Sequence, residues 1–167
     1  MGSDDHSETP SRRDLNGRPV RPGRRERMAG LLRRKAVADT PLELTETVEV
    51  VAESSDHAAS SSSVLEGSEW RPDDQVIVRH LLAIPADRVA AAIEVAGLDE
   101  YLAVDSAPAA HLGSADRPSG TELVALARVQ ALDPMHLSQE RSRMASLASR
   151  HSGQVLGWQV AQRPLDR

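Results

Sequence analysis

Imidazoles and carboxylates at set spacings do most acid–base and metal chemistry in proteins, and this chain offers six histidines: His6, His57, His80, His111, His136 and His151. His136 and Glu140 stand four residues apart, which puts them on one face of any helix. Two such groups could share a metal, but no HExxH pattern is present, and two ligands without a third make a poor zinc site. His80 lies in an alternating stretch that could turn it either to a core or to solvent. The pairs Asp73-Asp74 and Asp99-Glu100 fall at element ends, where acids are common. Acid–base catalysis needs two placed groups with separated pKa values, and nothing in the spacing of these acids supplies that. The chain has no GxSxG, no phosphate-binding loop and no GxGxxG. The expectation is therefore a non-catalytic protein without metal or cofactor.

Composition limits the rest. The chain has 167 residues, no cysteine, no phenylalanine, one tyrosine and two tryptophans, so its core must be aliphatic and it can form no disulfide or thiolate site. Arginine outnumbers lysine nineteen to one, which reads as the mark of a GC-rich bacterial genome. No run of about 20 apolar residues suggests a membrane helix. Arg12-Arg13 is followed by no apolar segment, so a secretory signal is not expected and a cytoplasmic protein is.

Charge divides the chain. Residues 11–35 hold ten basic side chains against Asp14 and Glu26, whereas residues 36–69 hold eight acids and no lysine or arginine. The net charge of −5 thus hides a basic and an acidic arm in series. Both arms, residues 1–69, are expected to be disordered, with residues 54–63 as a low-complexity linker and a domain beginning near Trp70. Residues 42–51 alternate apolar and acidic and read as an added edge strand, a ligand-like motif or disordered chain. In the basic arm, Arg24, Arg25, Arg27, Arg33 and Arg34 could hold RNA, DNA or an acidic protein surface, with affinity falling as salt rises. The alternative is a solvated tail lying loosely against the acidic arm. No aromatic residue in the arm offers base stacking, and too few apolar residues are present for a membrane surface.

From Trp70 onward the pattern is β-α-β, loop, β-α-β. Residues 75–84 read as a first strand ended by Pro85. Val89, Ala92, Ile93 and Ala96 form a helix face stopped by Gly97, and residues 100–104 form a short second strand. Residues 105–120 are a loop. Residues 122–132 form an apolar strand, after which Asp133 caps a helix with Pro134 at its first position. Leu137, Met144, Leu147, Ala148 and His151 share that helix's apolar face, and Gly153 ends it. Residues 154–161 alternate as a half-buried strand, with Leu156, Trp158 and Val160 turned to the helices. The fold expected is an α+β, ferredoxin-like βαββαβ sandwich with both helices on one sheet face. The other face is bare unless a partner or the N-terminal arm covers it.

Trp158 is either a core aromatic or an exposed anchor for a partner. The strand, Asp-Pro, amphipathic helix and His151-Ser152-Gly153-Gln154-Val155-Leu156-Gly157-Trp158 together resemble the C-terminal half of the RraB-type ribonuclease E regulators. That family's pattern has Gly-Gly and an Asp before Gly-Trp, where this chain has Ser152-Gly153 and Leu156-Gly157. The resemblance implies a ferredoxin-like, non-catalytic protein that binds an endoribonuclease and dampens it. Two further readings remain: a nucleic-acid-associated protein that binds through the basic arm, and an enzyme or small-molecule sensor with a ligand in the 105–120 loop.

Overall fold

A computed structural model describes residues 11–20, 40–113 and 117–165. It is an α+β fold built on one antiparallel five-stranded sheet. The strands are β1 (Glu49–Ser54), β2 (Val76–Pro85), β3 (Leu102–Val104), β4 (Thr121–Gln130) and β5 (Gln154–Gln162), in the spatial order β1-β5-β2-β4-β3. The helices are α1 (Ser61–Glu66), α2 (Val89–Gly97) and α3 (Pro134–Arg150).

The two long central strands, β2 and β4, pair without interruption from Val76↔Gln130 to Pro85↔Thr121. Both are apolar on both faces, as strands buried from both sides must be. Pro85, which cannot donate to a ladder, ends β2; a 3-10 turn at Ala86–Arg88 leads into α2. At the other helix, the Asp133 carboxylate accepts from the His136 amide and Pro134 follows as the first helical residue. This cap satisfies a first-turn amide that would otherwise lack a partner.

On the helix side, alternate residues of the strands meet α2 and α3. Leu82, Ile84, Val124 and Leu126 pack on Ala92, Ala96, Met144, Leu147 and Ala148. A second cluster joins Val76, Val78, Trp158 and Val160 to Leu137, Ala52 and Leu65. The opposite face is not bare. A 3-10 turn at Ala107–Gly113 lays Ala109 and Leu112 on Leu81, Ala83, Ala125 and Leu156. The segment before β1 lays Leu42, Leu44 and Val48 on Ile77, Ala127, Val129 and Ala161. The chain covers this face itself, in part with its acidic arm.

Several expectations need correction. The domain does not begin at Trp70, because β1 pairs with β5 and Ala52 and Leu65 are core residues. The serine-rich stretch is no linker: the Ser60 hydroxyl accepts from the Ser63 amide and caps α1. Residues 11–20 also fold against the sheet. There the Asp14 carboxylate accepts from the amides of Asn16 and Arg18, Gly17 takes φ +76°, and Ala131 donates to the Asp14 carbonyl. β5 is buried on both sides rather than half-buried. A bulge at its contact with β2 shifts the register between Leu81↔Gly157 and Leu82↔Val155, which turns Leu156 to the outer face and Val155 to the helices. The left-handed residue after α3 is Ser152 (φ +57°), not Gly153, whereas α2 ends at Gly97 as expected, with Glu100 beyond it at φ +63°. Gly153 is needed for another reason: a Cβ there would run into the Ala83 carbonyl oxygen and Ile84.

Candidate functional site

Two places concentrate polar chemistry, one sealed and one at the rim. The sealed one lies between the sheet and α3. On β4, Arg128 and Gln130 are two residues apart and so face the same side, the helix side. On α3, Glu140 follows Leu137 by three residues and precedes Met144 by four, which places it on the buried stripe. Glu140 is 2% exposed, Arg128 3% and Gln130 fully buried. Glu140 Oε1 accepts from Arg128 Nη2 at 2.5 Å and from Gln130 Nε2 at 2.7 Å. Arg128 also donates to Gln130 Oε1 and to the Asp99 and Leu15 carbonyls, so four of its five N–H groups have partners here.

His80 and Tyr101 complete the cluster. His80 Nε2 lies 3.8 Å from Glu140 Oε2, beyond hydrogen-bond length. The His80 and Tyr101 rings meet edge-on with centroids 5.9 Å apart, and the Arg128 guanidinium stacks 4.5 Å above Tyr101. Burial pushes the Glu140 carboxyl up, but His80, Arg128 and Gln130 outweigh it and leave its pKa below glutamate's ordinary value. Burial, and then the charge of Glu140, push the Tyr101 hydroxyl well above its ordinary range, so it stays protonated. The arrangement can hold a charge pair in a dry interior.

The rim site is the outer edge of β1. This strand ends the sheet, hydrogen-bonded to β5 on one side. Its other side has no backbone partner among the described residues. Val50 is 44% exposed, and a concavity of about 590 Å³ runs beside the strand, lined by Val50, Val51, Val64, Gly67, Ser68 and Glu69. Glu49 and Glu69 are exposed and make no ion pair among the described residues. Glu53 takes His111 Nε2 at 3.0 Å and Gln159 Nε2 at 2.8 Å. Its pKa is lowered: burial raises it, and the hydrogen bonds from Gln159 and His111 more than offset that.

The residues singled out from the sequence fall as follows. Trp158 is 2% exposed, with Arg141 over its ring at 5.8 Å. Its indole is core and offers a partner no surface. Arg24, Arg25, Arg27, Arg33 and Arg34 lie outside the described residues. His136 and Glu140 do not converge: His136 Nδ1 pairs with Asp133 Oδ2 at 3.0 Å, while Glu140 turns inward to Arg128. His80 is a core histidine. No group of three metal-ligating side chains occurs among the described residues, and no helix there is long and apolar enough to cross a membrane. The Ala107–Gly113 part of the loop proposed to hold a ligand lies on the sheet. The Arg128–Gln130–Glu140 group was missed by sequence reasoning, although two polar residues on the core face of an apolar strand call for a buried partner. Comparison of the chain with family models, with curated proteins and with solved structures found no match.

Proposed function

We propose that this chain is a non-catalytic protein-binding module with a regulatory role, and that its partner belongs to a ribonuclease E-type RNA-processing assembly. The binding part of the reading rests on the free edge of β1. Both sheet faces are covered by the chain's own residues, which leaves the two sheet edges for a second polypeptide to join through its backbone; of these β1 has six residues and β3 three. The sealed state of the Arg128–Glu140 cluster agrees with a structural rather than a catalytic use of its charges. The assignment to an RNA-processing assembly comes from the resemblance of residues 121–162. The strand order β5-β2-β4-β3 within a β-α-β-β-α-β run supports a ferredoxin-like reading of the core, with β1 as an added edge strand.

The test is affinity capture from the native host with the full chain, with and without nuclease, followed by reconstitution with the purified endoribonuclease. The reading predicts a partner retained through nuclease and high salt, and slower RNA cleavage on addition of this protein. Capture that nuclease or salt abolishes would remove it in favour of a second reading. In that reading the run of ten basic residues in 11–35 binds nucleic acid and the folded domain serves as its carrier.

A further inference from the structure

Resting on the protein-binding reading, we infer that the outer edge of β1 takes an extended, arginine- or lysine-rich segment of a partner as a sixth strand of the sheet. The backbone supplies one half of the argument. β1 is six residues long, and its side away from β5 has no backbone partner among the described residues. An added strand satisfies the outer amide and carbonyl groups in the way β5 satisfies the inner ones. The concavity beside Val50 and Val51, floored by Val64 and the Gly67–Ser68 backbone, gives side chains of such a strand an apolar seat.

Charge supplies the other half and selects the occupant. Glu49, Glu53 and Glu69 border the edge, and residues 40–70 contain no lysine or arginine. A second copy of this chain is disfavoured, because antiparallel self-pairing would bring Glu49 and Glu53 of both copies together on one short ribbon. The extra residue in the register between Val50 and Ala52 bends the edge and further limits pairing of like with like. Acidic edge strands of this kind resist self-association, and the same carboxylates attract a cationic strand and set its register.

The experiment titrates the full chain, labelled with nitrogen-15, with a peptide of about eight alternating arginines and valines, enough to run past β1 at about 3.3 Å per residue. The expected result is saturable binding, with amide shifts concentrated at residues 49–54, 64 and 67–69. N-methylation of alternate peptide amides preserves charge and removes ladder hydrogen bonds, and should weaken binding by roughly tenfold or more. The triple substitution E49Q/E53Q/E69Q should weaken it by a similar factor and flatten its salt dependence. Equal affinity for the N-methylated peptide would overturn the proposal, leaving charge alone. So would shifts confined to another surface. Binding that appears only in the variant R24Q/R25Q/R27Q/R33Q/R34Q would show that this chain's own arm fills the edge, and would also overturn it. A partner captured from the host that does not perturb β1 would sink this inference and leave the protein-binding reading standing.

Discussion

Replacing Glu140 with alanine tests the sealed cluster directly. The substitution removes a carboxylate that accepts from Arg128 at 2.5 Å and from Gln130 at 2.7 Å, at a site 2% exposed. Arg128 cannot lose its proton, and it keeps acceptors in Gln130 and two backbone carbonyls but no counter-charge. Breaking one member of a buried pair costs about 3–5 kcal/mol, because the other charge is left in the interior. Replacing both members with methionine removes both desolvation penalties and should cost much less than the sum of the single changes. The assay is urea unfolding of E140A, E140M, R128M and the double variant E140M/R128M, each followed by fluorescence of the two tryptophans. The expected coupling is several kcal/mol. Independent sites add within about 0.5 kcal/mol, so additivity at that level would refute the idea of a paired, desolvated cluster. A fall in stability under about 1 kcal/mol for E140A would refute it as well. The pH dependence has a definite sign. Burial raises the Glu140 pKa, but His80, Arg128 and Gln130 bring the folded value below the unfolded one. Its contribution is then present above the unfolded pKa and lost as pH falls through the folded one. E140Q should therefore show a shallower loss of stability on acidification than the parent chain.

Trp158→Ala should cost about 3–5 kcal/mol in the same assay, as expected for a large core aromatic; a loss below about 1 kcal/mol would place the indole wrongly. Leu147→Ala should cost about 2–5 kcal/mol, and a change under about 0.5 would mean the buried face of α3 is misread. Asp133→Ala should cost about 1 kcal/mol through loss of the cap on the His136 amide, read as a lower melting temperature. At the turn after α3, Ser152→Gly should be neutral or stabilising by up to about 1 kcal/mol, whereas Gly153→Ala should destabilise by about 1–3 kcal/mol. The opposite order in thermal unfolding would contradict the turn geometry.

The parts of the fold that sequence made legible are those written in local periodicity. The apolar run before Asp133, the Asp-Pro helix start and the stripe through Leu137, Met144 and Leu147 each follow from backbone sterics and burial within one element. What was not legible depends on pairing between distant elements. A glutamate at position 140 reads as solvent-facing by composition; only its place three residues after Leu137 and four before Met144 marks it as buried, and only Arg128 explains how it survives there. The bulge that turns Leu156 outward leaves no trace in an alternating strand, because it arises from the register with β2. The acidic and serine-rich stretches were read as disordered because their composition is polar. They fold because the sheet supplies apolar surface for Leu42, Ala52 and Leu65, and β5 supplies a ladder for β1.

The same logic bears on where function can reside. His80, Glu140 and Arg128 are nearly fully buried, with the Leu15–Gly17 segment lying over the Arg128 guanidinium. Coverage of both sheet faces by the chain's own loops likewise removes the broad faces as docking platforms. The outer side of β1 has no backbone partner among the described residues. In the proposed docking its glutamates repel a copy of themselves and favour a cationic strand. The acidic segment that composition alone would assign to a tether is thus, once β1 has paired with β5, an ordered edge of the sheet.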